Sequence, residues 1–286
     1  MNKLGRSLAF AGFLLVSSVG AGFAQSVDGT DGSTSTASAA SQPAKPAKAK
    51  PSSDEWNGMY VGGYGGVGLR RSTADTTTVF SPTGYFAASS VLAINNSSGR
   101  QPLNSTKVTA GGTFGYNHQS GKWVVGAEAD FGSLTGTTTA TTTTTYPCCS
   151  PTAFTVTQSV KTSWLFTARP RVGYTWGKTM VYATGGLAMT NMTYAERFTD
   201  TFATASESGG IKKTLTGWTG GGGVESKVSD RWSVKGEWLF AQFPRQTMSS
   251  TNLTAFTPSM AFPTNAFSHG IRLKEHLLRF GFNYHF

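Results

Sequence analysis

Residues 278–286 read Leu278-Arg279-Phe280-Gly281-Phe282-Asn283-Tyr284-His285-Phe286, and this alternation decides the fold. Successive side chains of a strand point to opposite faces. Leu278, Phe280, Phe282, Tyr284 and Phe286 therefore share one apolar face, and Arg279, Gly281, Asn283 and His285 share a polar one. A stripe of this kind fits a membrane β-barrel, where the aromatic face meets lipid and the polar face lines the lumen.

The same period recurs toward the N-terminus. Trp123, Val125, Ala127, Ala129 and Phe131 oppose Glu128 and Asp130; Trp164, Phe166, Val172, Tyr174 and Trp176 oppose Arg169 and Arg171. Trp232, Val234, Trp238 and Phe240 oppose Lys235 and Glu237. Further strands are expected over 56–70, 106–118, 180–198 and 214–226, with the last over 271–286. The expected fold is all-β: an eight-stranded antiparallel transmembrane β-barrel, an even number as such barrels use. Its connections alternate. Those over 119–122, 177–179 and 227–231 are short periplasmic turns; those over 71–105, 135–162, 199–213 and 244–270 are long extracellular loops. Trp123, Trp176, Trp232 and Tyr284 stand beside the short turns, where an interfacial aromatic girdle belongs. A soluble lipocalin-like barrel would turn the apolar face inward. The charges then have to be accounted for on the other faces, and no dry core accepts them unpaired.

Composition agrees. Hydrophobic residues are 38% of the 286, glycines number 35, and beyond the N-terminus no apolar run approaches the roughly 18 residues of a spanning helix. Residues 1–24 read as a signal peptide: Lys3 and Arg6 precede the apolar run from Leu8 to Val19, and Gly22-Phe23-Ala24 supplies small residues before Gln25. Residues 25–55 hold no aromatic residue and include Ser-Gln-Pro-Ala-Lys-Pro at 41–46. They are expected to be a disordered periplasmic tether, with the barrel over 56–286. The formal charge of +10 points, in an exported protein, to outer-membrane lipid and lipopolysaccharide phosphates rather than nucleic acid.

With the aromatic face outward, Lys107, Arg169, Arg171, Lys235 and Arg279 face the lumen together with Glu128, Asp130, Glu225, Glu237 and Glu275. Eight strands leave an interior only wide enough for side chains, so these residues are expected to form an ion-pair network that plugs it. A narrow porin-like channel is the alternative. His118 and His285 fall near the periplasmic ends; His269 and His276 fall near the outer end, beside Ser268 and Glu275. A serine–histidine site needs its base oriented by a third group, which nothing in the sequence supplies. No enzyme is expected, a lipid A-modifying activity being the remaining catalytic alternative. Cys148 and Cys149 lack the spacing of a metal site. Their Cα atoms, about 3.8 Å apart, lie below the usual disulfide separation. Gly220–Gly223 is not followed by Lys-Ser/Thr as a phosphate loop requires, and reads as a site of strong strand curvature or of close-packed lumen side chains. Neither a metal nor a cofactor is expected. The long loops, with their threonine run over 137–145 and Ile94-Asn95-Asn96-Ser97-Ser98-Gly99, read as hydrated, mobile segments able to carry a host or surface ligand.

Three segments carry a family resemblance. Arg169–Ala188 (RPRVGYTWGKTMVYATGGLA), Gly217–Phe243 (GWTGGGGVESKVSDRWSVKGEWLFAQF) and Trp56–Gly63 (WNGMYVGG) resemble the conserved runs of the Omp25/Omp31-like outer-membrane proteins of α-proteobacteria. The resemblance covers most of 56–286, leaving out the tether and the long loops. Departures are Pro170 in place of a small residue, Trp238 in place of Tyr, and long first and fourth loops. Pro170 brings no N–H to the ladder, which puts the regularity of its strand in question. The resemblance implies a small integral outer-membrane protein, a surface antigen in pathogens, tied to envelope integrity and sometimes to host or haem binding, without catalytic residues. No CxxCH haem-attachment motif is present. By resemblance to outer-membrane proteins generally, the terminal stripe Leu278, Phe280, Phe282, Tyr284 and Phe286 is the signal read by the barrel-assembly machinery.

Overall fold

Alternating sequence becomes strand throughout, and most strands outrun their expected ends. The computed structural model describes residues 55–286, so the signal peptide and all of the tether except Glu55 lie outside the described residues. The elements are β1 (Gly58–Thr78), α1 (Ala88–Ser98), β2 (Gln101–Ser120), β3 (Trp123–Thr145), β4 (Ala153–Trp176) and β5 (Thr179–Asp200). They continue with β6 (Ser206–Lys227), β7 (Trp232–Gln242), β8 (Gln246–Ser250), β9 (Thr254–Ala255), β10 (Met260–Ala261), β11 (Phe267–Arg272) and β12 (Lys274–His285). From β1 to β7 each strand pairs antiparallel with the next, and β12 pairs with both β7 and β1. The sheet thereby closes as a ring of 8 strands. Beyond the ring, β8 and β11 prolong β7 and β12, and β11 also pairs with β1.

The strands β3, β4, β5 and β6 are 23, 24, 22 and 22 residues long, about twice the nine to eleven tilted residues that cross a bilayer. Outward side chains show which half is in lipid. Near the short turns they include Phe114, Trp123, Val125, Val172, Trp176, Val181, Phe280 and Phe282, all exposed. In the far half of β3 they are Thr137, Thr139, Thr141 and Thr143. Thr141 and Thr143 meet Thr157 and Thr155 of β4, with hydroxyl oxygens 3.3 and 2.9 Å apart. The threonine run is therefore not a mobile loop: it is the outer half of a stave. β-Branched threonine suits an alternating, half-buried strand, and its polarity concealed that alternation in the sequence.

Other departures are local. Pro170 does not break β4; the ladder to β5 lapses between Ala168 and Arg171 and resumes in the same register. Register shifts at Ser133/Gly136 and Lys161/Leu165 mark where the lipid-facing half gives way to the outer half. Helix α1 occupies the stretch read as a hydrated loop. Its serines and asparagines are weak helix formers, and tertiary contacts hold it: Asn95 Oδ1 accepts from the Thr78 N–H at 2.8 Å, and Ser98 Oγ donates to the Thr76 carbonyl at 3.0 Å. Cys148 and Cys149 are joined in a disulfide, within the turn between β3 and β4.

Inside the ring the side chains are layered, as β5 shows in order. Met180 and Tyr182 pack with Trp56 and Val124 near the short turns. Ala188, Met192 and Tyr194 join Leu134, Leu165, Leu215, Leu239 and Leu277 in a central apolar layer. Phe198 belongs to an outer apolar layer with Phe86, Ile94, Phe154 and Phe267. Because α1 supplies Val91 and Ile94 to that layer, the helix roofs the barrel.

Candidate functional site

Two buried polar clusters occupy this interior, separated by the central apolar layer. The lower one is assembled by parity: inward positions of β3, β4, β6, β7 and β12 bring Glu128, Asp130, Arg169, Arg171, Glu225, Lys235, Glu237 and Arg279 together, all buried. Arg169 reaches Glu128 and Asp130 at 2.8 Å each and Glu237 at 3.1 Å. Arg171 reaches Glu225 at 2.7 Å and Glu128 at 3.4 Å. Arg279 lies 3.0 Å from Asp130. Lys235 Nζ donates to Glu128 Oε2 at 2.8 Å. Four cations thus face four carboxylates, a balance that a low-dielectric interior requires.

Aromatic side chains complete the cluster. The Arg171 guanidinium lies 4.2 Å from the Tyr182 ring centroid and that of Arg279 4.2 Å from Tyr64, cation–π contacts that stabilise a desolvated charge. Tyr60 Oη donates to Glu128 at 2.9 Å, and Tyr182 Oη donates to Glu237 at 3.2 Å. These rings need space opposite them. A Cβ at Gly115 would stand 2.3 Å from the Tyr60 ring, and one at Gly223 would stand 2.7 Å from the Tyr182 hydroxyl. The inward glycines are the volume that the tyrosines fill.

Two residues of the expected network sit elsewhere. Lys107 is only half-buried, and its Nζ donates to the Gly136 carbonyl at 2.7 Å; among the described residues it has no carboxylate partner. Glu275 does not join Arg279 but pairs with Arg70, whose Nε lies 2.7 Å away. Arg70 is the last residue of the strand expected over 56–70, and its parity, opposite to the outward Met59 and Val61, is the sequence signal that turns it into the lumen. His285 also lies inside, its Nε2 2.9 Å from Ser233 Oγ. The stripe residues Leu278, Phe280, Phe282 and Phe286 are exposed and Tyr284 half-buried; Phe286, at 72% exposure, is the most open of these.

The upper cluster escaped the sequence reading. Glu196 of β5, Glu207 of β6 and His269 of β11 are buried and offer donor atoms within 4.8 Å of one another. His269 Nδ1 lies 3.1 Å from Thr76 Oγ1 and 3.5 Å from Glu196 Oε2. Its Nε2 lies 2.9 Å from Ser250 Oγ and 3.4 Å from Glu207 Oε1. Burial and the adjacent Glu207 push the Glu196 carboxyl up to about 10. Burial also acts upward on Glu207, but its contacts with His269, Glu196 and Ser250 outweigh this and hold it below the ordinary range.

The other histidines considered from sequence are not brought together. His118 is exposed on the outer face, and His276 lies 4.9 Å from the Phe240 ring, also outside. Ser268 has the opposite parity to His269 and points away from it.

Known proteins share part of this sequence. The family profile described as outer membrane protein beta-barrel domain matches residues 32–286. The 31 kDa outer-membrane immunogenic proteins of Brucella melitensis biotype 1 and Brucella suis biovar 1 are each 32% identical to the chain over 195 residues, 65% of this chain and 71% of theirs. Among solved structures the chain is similar to the outer membrane protease OmpT from Escherichia coli, with a TM-score of 0.38, 8% identity, and coverage of 81% of this chain and 97% of that one. It is also similar to Ail, the attachment invasion locus protein of Yersinia pestis, with a TM-score of 0.27, 10% identity, and coverage of 78% and 99%.

Proposed function

Because the chain belongs to the outer membrane protein beta-barrel domain family and so resides in the outer membrane, we propose that it is a non-conducting, non-catalytic barrel that lends structure to the envelope and carries a rigid platform to the cell surface. The filling of the lumen carries this reading. A paired charge cluster, two apolar layers and the roof formed by α1 follow one another along the barrel, and eight strands leave no further width for water. The outer halves of β3 to β6 would hold the surface contacts on a stiff support rather than on loose loops.

Lipopolysaccharide is the partner that the outer surface favours. Lys161 on β4, Lys212 and Lys213 on β6, and Arg71 and Arg272 near the seam are exposed, just beyond the outermost aromatic positions Trp164 and Trp218. They form a basic collar at the height of the phosphate groups. The exposed terminal stripe ending at Phe286 remains the surface offered to the assembly machinery. Single-channel recording of the folded protein in planar bilayers tests the sealed lumen: no steady current is expected, and a stable open-channel conductance would overturn the reading.

A further inference from the structure

The upper cluster has a composition that its surroundings do not balance. Glu196 and Glu207 lie between the central and outer apolar layers, and among the described residues no Lys or Arg bridges to either. Both carboxylate oxygens of Glu196 and Oε2 of Glu207 are buried without a hydrogen-bond partner. Gln158, directly across the β4–β5 ladder from Glu196, adds an independent sign. Its side chain is fully buried, Nε2 donates to Thr76 Oγ1 at 2.7 Å, and Oε1 has no partner. Acceptor atoms with nothing to accept from, gathered around an imidazole, are the inverse of a self-sufficient network.

We propose that Glu196, Glu207 and His269 bind one divalent transition-metal ion of the zinc class, as a structural site enclosed in the extracellular half of the barrel. One nitrogen and two carboxylate donors suit a borderline ion such as zinc better than calcium, which takes six to eight oxygens. The nitrogen that binds stands 3.4 or 3.5 Å from its nearer carboxylate oxygen, close to the roughly 3.3 Å between two ligands of a tetrahedral zinc ion, and one donor atom from each of the three residues lies within 4.8 Å of the others. Whichever nitrogen binds, the other keeps a hydroxyl that fixes the ring, Thr76 Oγ1 on the Nδ1 side or Ser250 Oγ on the Nε2 side. Gly209 leaves room for this ring, since a Cβ there would stand 2.9 Å from His269 Cδ2. The ion ties β5, β6 and β11 together. Because apolar layers close the site above and below, it is loaded while the barrel folds.

The test uses the tag-free, full-length protein refolded in detergent with Zn2+ or Co2+ and then stripped of loose ions by dialysis. One tightly held equivalent is expected, with the visible bands of tetrahedral Co2+ and a rise in unfolding temperature over protein refolded in chelator. Glu207→Gln and His269→Gln should each lower occupancy at least tenfold. Absence of both retained metal and Co2+ bands from the folded wild type would overturn the proposal and leave protons as the balancing charge. Full occupancy in a folded Glu196→Gln/His269→Gln double variant would overturn it equally. The wild-type measurements decide the matter if the variants fail to fold. A conducting barrel that still holds the ion would overturn the sealed lumen alone.

Discussion

Lys235 and Glu128 are 107 positions apart in the chain, and Lys235 Nζ meets Glu128 Oε2 at 2.8 Å. Their strands, β7 and β3, face each other across the ring, so this bond is a strut through the lumen rather than a rung between neighbours. Lys235 has no other carboxylate partner among the described residues, whereas Arg169 and Arg171 reach further acids.

Removing the acid should therefore strand the lysine. Glu128→Ala is expected to destabilise the barrel by about 3–5 kcal/mol, the cost of leaving a buried charge uncompensated. Adding Lys235→Met should recover part of that loss. Urea titration of protein folded into lipid vesicles measures both, and an unchanged double variant relative to the single would contradict the strut.

Surface proteolysis separates stave from loop. Intact cells treated with proteinase K should be cut within residues 251–266, where only the short β9 and β10 interrupt irregular chain. Residues 136–145 and 153–162 should be spared, because their backbone groups are paired in the β3–β4 ladder. Mass spectrometry of the fragments gives the answer, and early cleavage inside the threonine run would count against a rigid outer half.

Reversing the collar charge should weaken lipid retention. Lys212→Glu with Lys213→Glu places two acids where lipopolysaccharide phosphates are expected, and should lower the lipopolysaccharide that co-purifies with the barrel at least severalfold. Folding should be little affected, since both side chains are exposed and substitutions at such positions change stability by about 0.5 kcal/mol or less. The phosphate-to-protein ratio of the purified sample is the measurement.

In chelator, the upper cluster should make stability fall as pH rises. The folded protein keeps a proton on Glu196 up to about 10, whereas the unfolded chain releases it near 4.5. Between those values the native state binds more protons, so each step up in pH favours unfolding. Glu207 is shifted the other way, and its contribution is lost only as pH falls below the ordinary carboxylate range. Glu207, His269 and Tyr194 are the titratable groups nearest Glu196. Glu196→Gln should flatten the alkaline slope, read as unfolding temperature against pH.

Strand parity made the lower cluster legible. Arg169 and Arg171, or Glu128 and Asp130, alternate with apolar neighbours so regularly that their common face follows from counting. Aromatic identity alone does not give the face: Tyr60, Tyr64 and Tyr182 point inward onto guanidinium groups and carboxylates. The upper cluster was hidden for another reason. Glu207 and His269 lie in stretches that look like polar loops, because Ser, Thr and Gly on both faces erase the contrast between in and out. The roof was equally hidden, since α1 owes its helix to Thr76 and Thr78 rather than to its own residues.

The seam between β1 and β12 runs from Tyr60↔His285 to Arg70↔Glu275. A slip of one residue there would exchange the two faces of β12, driving Arg279 and Glu275 into lipid and Phe280 into the charge cluster. The lumen charges thus act as a proofreading code for closure. The native alignment of the last strand with the first sets Glu275 beside Arg70 and Arg279 beside Asp130, and a ring misaligned by one residue is rejected by the bilayer itself.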